Sequence, residues 1–235
     1  PVGSTWLVDL AAEFQDEKVA GAFCRNTPRP DAELSTLVLS RDDPGWSVGR
    51  REITLPPLEQ YEAMSPDEKR GLYTFQDVAS ALRRSAWERH PLPRTSFGED
   101  VLMARAMLEG GGTLVYSDKA RVEHSHDYNR QETHARCAID GRFNQEWLGR
   151  TCIEREGDIP VLLARLAPAD AEFIRSLGLP PDHASNLEAE VHGLRRAAFE
   201  GLLAGGRAKE RRAPSHMRTS ATVKVLFVVP GFPPD

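Results

Sequence analysis

The spacing of hydrophobic positions along the chain predicts alternating helices and strands. Trp6, Leu10 and Phe14 recur every fourth residue, which indicates a helix with one buried stripe. Residues 19–23 are small and apolar, as is typical of a buried strand. Prolines and aspartates break the following stretch of about fifty residues, and a loop region of that length tends to line a binding site.

The rest of the chain also alternates between helices and strands, and this alternation predicts a fold of the α/β class. Strands are predicted at residues 73–78, 113–116, 120–123 and 223–229. Helices are predicted to start at Ser65, to span 80–88, to run from Gly98 to the glycines at 110–112, and to cover 131–148, 161–166, 170–177 and 184–203. The last strand is a nearly continuous run of β-branched residues, which is the pattern of a strand buried on both faces.

Composition and charge narrow the class of protein. The chain has 235 residues, of which 40% are hydrophobic and 28% charged, as in a soluble globular protein. Three cysteines without a C-x-x-C pair favour a reducing, cytosolic compartment over a disulfide framework or a zinc site. The net charge of the chain is −5, but residues 195–218 are rich in arginine. We interpret this basic run as a solvated linker rather than as a surface that binds anionic lipid or nucleic acid.

Two groups of polar residues could carry chemistry. Glu99 and Asp100 follow Gly98 at the start of a predicted helix, and His124 and His126 lie two residues apart in an extended segment, so that they share a face. A carboxylate base together with a histidine-bound divalent metal can activate a hydroxyl and neutralise a departing diphosphate.

Four segments carry a resemblance to a known family. These segments are T-F-Q-D-V-A-S-A-L-R-R-S-A-W at 74–87, F-G-E-D-V-L-M-A at 97–104, L-V-Y-S at 114–117 and A-R-V-E-H-S-H at 120–126. In this order and spacing they resemble the C-terminal half of bacterial family-2 glycosyltransferases, and most closely the rhamnosyltransferase-type members that build surface polysaccharide. The resemblance covers roughly residues 1–150.

The resemblance implies roles for individual residues. Asp100 corresponds to the base that deprotonates the acceptor hydroxyl, and Glu99 to a residue that positions or binds the acceptor. His124 corresponds to a ligand of a divalent metal, Mg or Mn, with His126 as a second ligand or phosphate contact. Four further residues are candidate substrate contacts: Asp77 and Ser80 for the acceptor, and Arg83 and Arg84 for the diphosphate.

The implied reaction is transfer of a sugar from a nucleotide-sugar donor to a glycan or lipid-linked glycan, with inversion at the anomeric carbon. The implied protein is cytoplasmic, able to associate with the inner face of the membrane, and binds no nucleic acid. The acidic D-x-D motif that completes the family's metal site is absent from this sequence. We therefore expect the metal to bind only together with the missing donor half, and the isolated chain to be inactive.

The expected fold has three parts. Residues 1–156 form the acceptor-side part of a GT-A-like domain, and residues 157–220 a helical, partly basic linker. Residues 221–235 resemble the first strand and loop of a family-4 glycosyltransferase of the GT-B architecture. The start of the chain is expected to lie immediately downstream of a donor site.

Two other functional classes compete with this reading. A metal-dependent hydrolase also uses H-x-H, but the residues after His126 do not continue the pattern of such sites. A non-catalytic scaffold derived from a glycosyltransferase stays open, and an intact upstream D-x-D half would favour the enzyme. Trp87 and Trp147 are interpreted as core or wall residues rather than platforms that stack on sugars.

Overall fold

The computed structural model describes residues 5–91 and 94–207 and the backbone of residues 227–229. The strands are β1 Val19–Thr27, β2 Arg51–Ile53, β3 Ser80–Arg83, β4 Thr113–Glu123 and β5 Phe227–Val229. The helices are α1 Trp6–Ala11, α2 Leu34–Ser40, α3 Leu58–Ala63, α4 Pro66–Leu72, α5 Arg84–Arg89, α6 Glu99–Glu109, α7 Arg130–Leu148, α8 Asp158–Ser176 and α9 Pro181–Arg207. Short 3-10 turns lie at Ala12–Gln15, Pro44–Trp46 and Asp77–Ala79. The predicted α/β class is confirmed.

The strands form one mixed sheet in the order β2-β4-β1-β3-β5. β1 and β4 are parallel, so their carboxyl ends lie at the same edge, where the His124 amide donates to the Thr27 carbonyl at 2.8 Å. β3 is antiparallel to β1 and therefore begins at that edge. Because α6 leads directly into the start of β4, its own first residues also point toward the carboxyl edge.

Both faces of the sheet are covered by apolar side chains. On one face, Phe23 and Tyr116 pack with Met103 and Met107 of α6. The other face carries a second cluster formed largely by α1, the turn that follows it, and the opposite-pointing residues of β1, β3 and β4. The sheet is thus a rigid layer that fixes the first turn of α6 relative to the ends of β1 and β4.

The three C-terminal helices pack on one another and on α2. A Cβ at Gly205 of α9 would overlap the Ala138 carbonyl of α7, and one at Gly201 would overlap the His134 carbonyl, so glycine allows the two helices to approach closely. α9 continues through Gly205 and Gly206 to Arg207, so the helix predicted at 184–203 is longer than expected at both ends.

The predicted division of α8 into helices at 161–166 and 170–177 is also wrong, because Pro168 lies inside one continuous helix. Apolar residues on both sides of the proline are anchored: Ile159 and Leu163 lie in one buried cluster, and Ile174 lies in another. Packing at both ends therefore outweighs the hydrogen bond that proline removes.

Three predictions for the middle of the chain need correction. Residues 73–78 form no strand, although Tyr73 and Phe75 are buried in the core. The predicted helix at 80–88 begins as β3, because pairing of Ser80 with Phe23 of β1 outweighs local helical periodicity. The two predicted strands at 113–116 and 120–123 are one strand, β4. The stretch predicted to be irregular contains α2, β2 and α3.

Several predictions fall outside the described residues. These are the basic segment 208–218, residues 219–220 of the predicted linker, and residues 223–226 of the last predicted strand. The described part of that strand, β5, pairs in parallel with β3 of the same sheet. The three-part division of the chain stays a prediction. Within the described ranges, every helix is too short or too polar to cross a bilayer.

Candidate functional site

Gly98 determines how the candidate catalytic acids are presented. Its φ of 72° lies in the left-handed region, immediately before the first residue of α6. A Cβ at this position would also overlap the ring of Phe143 on α7. Glycine is therefore required both by the backbone conformation and by the close approach of α7. Glu99 and Asp100 therefore form the first turn of α6, directly after the point where Gly98 contacts Phe143 of α7.

Asp100 is a half-buried carboxylate without an ion-pair partner among the residues described. Its Oδ1 accepts a hydrogen bond from the Val101 amide at 2.8 Å. Burial, reinforced by the negative charges of Asp77 and Glu99, raises the pKa of Asp100 to about 6, against the lowering effects of the Val101 amide and the Arg70 guanidinium. A carboxylate with this pKa is a competent general base near neutral pH.

Asp77 and Glu99 accompany Asp100 at the carboxyl edge of the sheet. Asp77 begins the 3-10 turn that leads into β3, and its charge acts on Asp100. Glu99 precedes Asp100 on α6 and is also half-buried. Three carboxylates therefore lie together at the edge where β1 and β4 end, which is where ligands bind in open α/β sheets.

Arg70 of α4 is a site residue that sequence analysis missed. It is half-buried, and its Nη1 donates to the Tyr73 carbonyl at 3.5 Å. Burial lowers the pKa of Arg70, while the charges of Asp140 and Asp100 act in the opposite direction. No local pattern marks Arg70, because its position beside Asp100 depends on how α4 packs.

Gln76 is a second residue that sequence analysis missed. Its side chain accepts from Asn26 Nδ2 at 2.6 Å and donates to Asp43 Oδ1 at 2.8 Å. Asp43 in turn accepts from the Gly45 amide at 2.7 Å. Gln76 therefore ties the end of β1 to the turn at Pro44–Trp46 and fixes the chain immediately before Asp77.

Ser80 is also at the carboxyl edge but is buried, with 3% of its surface exposed. It pairs with Phe23 of β1, and its hydroxyl has no hydrogen-bond partner within the described part of the chain. Ser80 therefore lies beneath the surface on which the carboxylates are presented, and a contact with the acceptor stays a prediction.

Arg83 and Arg84 lie at the opposite edge of the sheet. The Arg83 guanidinium donates to the main-chain carbonyls of Phe14, Asp16 and Val19 at 2.8–2.9 Å, which is a structural role. Arg84 is exposed and forms an ion pair with Glu88 at 2.9 Å. The structure does not bring either arginine together with Asp100.

The segment from His124 to Tyr128 follows β4 at the carboxyl edge. The His124 and His126 rings are in edge contact with centroids 4.7 Å apart, and His126 stacks on Tyr128 at 5.2 Å. Asp127 holds the segment in place by accepting from the Glu33 amide at 3.0 Å and from Arg29 Nη2 at 2.7 Å.

The described residues do not complete a metal site. Among them, no group of three or more histidine, cysteine, aspartate or glutamate side chains is arranged to hold a metal ion. Mg and Mn prefer oxygen ligands in a nearly octahedral arrangement, and a pair of imidazoles does not satisfy that preference. The residues present therefore do not fit the predicted metal on their own.

Comparison with known proteins gives one significant similarity. The chain resembles a rhamnosyltransferase. It is 27% identical over 150 residues to the O-antigen chain rhamnosyltransferase RfbN of Salmonella typhimurium, which covers 61% of this chain and 44% of the relative. The chain thus spans less than half the length of the curated relative it matches.

Two other comparisons gave no match. No family model matches the chain, and no solved structure is significantly similar to it. The similarity to the rhamnosyltransferase therefore supports a relation to glycosyltransferases, without defining the family or the substrates.

Proposed function

We propose that this chain provides the acceptor side of an inverting glycosyltransferase that acts in surface polysaccharide synthesis. The observation that carries the proposal is the half-buried Asp100 carboxylate, whose pKa is raised to about 6, at the ligand-binding edge of the sheet. The similarity to a rhamnosyltransferase over 150 residues supports the same reaction class.

In the proposed reaction, Asp100 accepts the proton of one acceptor hydroxyl. The resulting oxygen nucleophile forms a bond to the anomeric carbon of the donor, while the bond from that carbon to the nucleoside diphosphate breaks and its electron pair leaves with the diphosphate. Attack opposite the leaving group inverts the anomeric configuration. Glu99 and Asp77 orient acceptor hydroxyls, and Arg70 limits how far the pKa of Asp100 rises.

The finer features of the proposal follow the family resemblance. The donor is a nucleotide sugar, the acceptor is a glycan or lipid-linked glycan, and the fold is of the family-2, GT-A type. The protein acts in the cytoplasm at the membrane surface. A metal on the donor diphosphate would need ligands beyond His124 and His126, so the isolated chain is proposed to be inactive.

Substitution of Asp100 tests the proposal. In the full-length protein encoded by the reading frame of this chain, Asp100→Asn is expected to lower kcat ~10²–10⁴-fold, which is the usual contribution of a general base. Glu172→Gln serves as the control, because it is the same kind of carboxylate-to-amide change at an exposed position of α8, and it is expected to leave kcat unchanged. An unchanged rate in Asp100→Asn would remove the catalytic assignment and favour the scaffold.

A further inference from the structure

A polar cavity lies between the beginning of α7 and the middle of α9. Its volume is about 450 Å³. The polar residues that line it are Arg130, Gln131 and His134 of α7 and His192, Arg196 and Glu200 of α9. On each helix these residues recur at spacings of three or four, so they share one side of the helix. The cavity has no lining residue in common with the carboxylates at the edge of the sheet.

The two arginines of this cavity lack acidic partners. Neither the Arg130 nor the Arg196 side chain makes a hydrogen bond or an ion pair with another residue in the described ranges. Glu200 lies one turn after Arg196, but within the same ranges it forms no ion pair. The adjacent Arg195, by contrast, is bound by Asp170 and by a second carboxylate. The cavity therefore brings together two exposed, permanent cations without a counter-charge bound to them among the described residues.

Gly193 of α9 determines where the Arg130 side chain lies. A Cβ at Gly193 would overlap the Nε, Cζ and Nη2 atoms of Arg130, so this guanidinium from α7 lies directly against α9. Arg196 follows Gly193 by three residues, and positions three apart on a helix have Cβ atoms about 5–6 Å from each other. The two arginines therefore reach the cavity from different helices at positions about one helical turn apart.

The lining is rich in hydrogen-bond donors and poor in acceptors. An arginine side chain donates only, and His134 and His192 each provide an imidazole N–H whether neutral or protonated. Phosphate monoesters and diphosphates carry several oxygens that accept, and arginine binds such groups through paired, charge-assisted hydrogen bonds. A carboxylate has too few oxygens to pair with two arginines in this way. The cavity volume is within the range of about 300–1,000 Å³ that is usual for small-ligand sites.

We propose that this cavity binds a diphosphate or phosphate monoester group. Arg130 and Arg196 bind the phosphoryl oxygens from the two helices, and His134, His192 and Gln131 donate to the remaining oxygens. The group belongs either to a soluble molecule or to a lipid headgroup. The inference goes beyond the proposed function and does not depend on it, because none of these residues belongs to the candidate catalytic site.

Titration of the full chain with inorganic diphosphate tests the site. Calorimetry at ~0.15 M salt, which screens scattered surface charges, is expected to show one diphosphate bound per chain. Arg130→Gln and Arg196→Gln should each weaken binding at least tenfold, because each removes charge-assisted hydrogen bonds. Arg165→Gln is the matched control, since it makes the same change at an exposed position of α8 outside the cavity, and it should bind normally. Absence of binding, or equal affinity in all three variants, would overturn the site.

Substitution of Gly193 separates a formed site from general attraction by a positive surface. Gly193→Ala keeps every charge but displaces the Arg130 guanidinium, and the helix should fold normally because only the flexible end of a long side chain has to move. We expect diphosphate binding to weaken at least fivefold. Gly206→Ala, also on α9, is the control because nothing lies within 4 Å of the added Cβ. Circular dichroism checks that both variants are folded. Unchanged binding by a folded Gly193→Ala would contradict the site.

Two further probes identify the source of the phosphate group. Vesicles of phosphatidylcholine with phosphatidic acid present a phosphate monoester on a lipid, and vesicle binding that is lost in Arg130→Gln would assign a lipid headgroup. Diphosphate binding without such vesicle binding would assign a soluble ligand, and both results support the site. An oligothymidylate without a terminal phosphate carries only phosphodiesters. If it bound through Arg130 more tightly than diphosphate, the proposed ligand class would be contradicted in favour of nucleic acid.

Discussion

Asp170 and Asp100 are both shielded carboxylates on helices, but their partners differ. Asp170, 6% exposed, accepts from Arg195 Nε and Nη2 at 2.6 and 2.8 Å and from Arg41 Nη2 at 3.0 Å. Within the described residues, Asp100 accepts only the amide of Val101, and burial raises its pKa to about 6. The same carboxyl group thus joins helices through ion pairs at Asp170, whereas burial without an ion pair in the described residues raises its pKa at Asp100.

The Asp170 network joins the C-terminal helices to the rest of the chain. Arg195 of α9 also binds Asp42, just after α2, at 2.6 Å, and Arg41 lies over the Phe173 ring of α8 at 4.6 Å. Every charge in this cluster has an oppositely charged partner. Asp100 instead lies near two other carboxylates, whose negative charges disfavour its own ionisation.

The largest expected effect on stability comes from removing Arg195, the main partner of Asp170. Arg195→Ala leaves a buried carboxylate without its main partner and should lower the free energy of unfolding by ~3–5 kcal/mol. Urea denaturation of the full chain measures this change. The neighbouring Arg196 is exposed and has no ion pair in the described ranges, so Arg196→Ala should change stability by less than ~0.5 kcal/mol. Similar losses in both variants would mean that the network contributes little.

The next effect concerns the glycine that positions Asp100. Gly98→Ala adds left-handed backbone strain and overlap with Phe143, so we expect a loss of ~2–4 kcal/mol. Gly111→Ala is the matched control because its φ is 81° and nothing lies within 4 Å of the added Cβ, so only ~1–2 kcal/mol should be lost. Thermal or urea unfolding compares the two. Equal losses would show that contact with α7 does not constrain the start of α6.

A smaller expected effect is the pH dependence that Asp100 gives to the free energy of unfolding. Its folded-state pKa of about 6 lies above the ~3.9 of an unfolded aspartate, so the folded state binds the proton more tightly and loses stability as pH rises between these values. Asp100→Asn should therefore stabilise the chain by ~1–3 kcal/mol at pH 8, and the gain should vanish below about pH 4.

Urea denaturation at the two pH values measures this difference, with Glu190→Gln, an exposed position on α9, as the control. A variant that is less stable than the unmodified chain at pH 8 would show that the Asp100 carboxylate is stabilised by contacts rather than strained by burial.

The sequence predicted the elements whose signals are local. β1, α6 and α7 were found because a small apolar run, a glycine-bounded apolar face and a long helical pattern each lie within one segment. β3 was mistaken for a helix because its conformation depends on pairing with β1, which lies more than fifty residues earlier in the sequence. The continuity of α8 across Pro168 likewise depends on clusters that distant residues complete.

The same distinction applies to the site. Asp100 and Glu99 could be predicted because they form a motif at a helix start, whereas Arg70 and Gln76 resemble ordinary surface residues in sequence. Only the fold brings Arg70 close to Asp100 and ties Gln76 to Asn26 and Asp43. The sequence shows that the Glu99-Asp100 motif is charged, but it does not show that the fold buries Asp100 and so raises its pKa.

The pH dependence of transfer tests the role of Asp100 most directly. In the full-length protein, kcat/KM should rise with pH as Asp100 loses its proton, with an apparent pKa of about 6, and should level off above it. The small residual rate of Asp100→Asn should lack this rise. A profile that is flat from pH 5 to 8, or the same rise in Asp100→Asn, would contradict the assignment of Asp100 as the base.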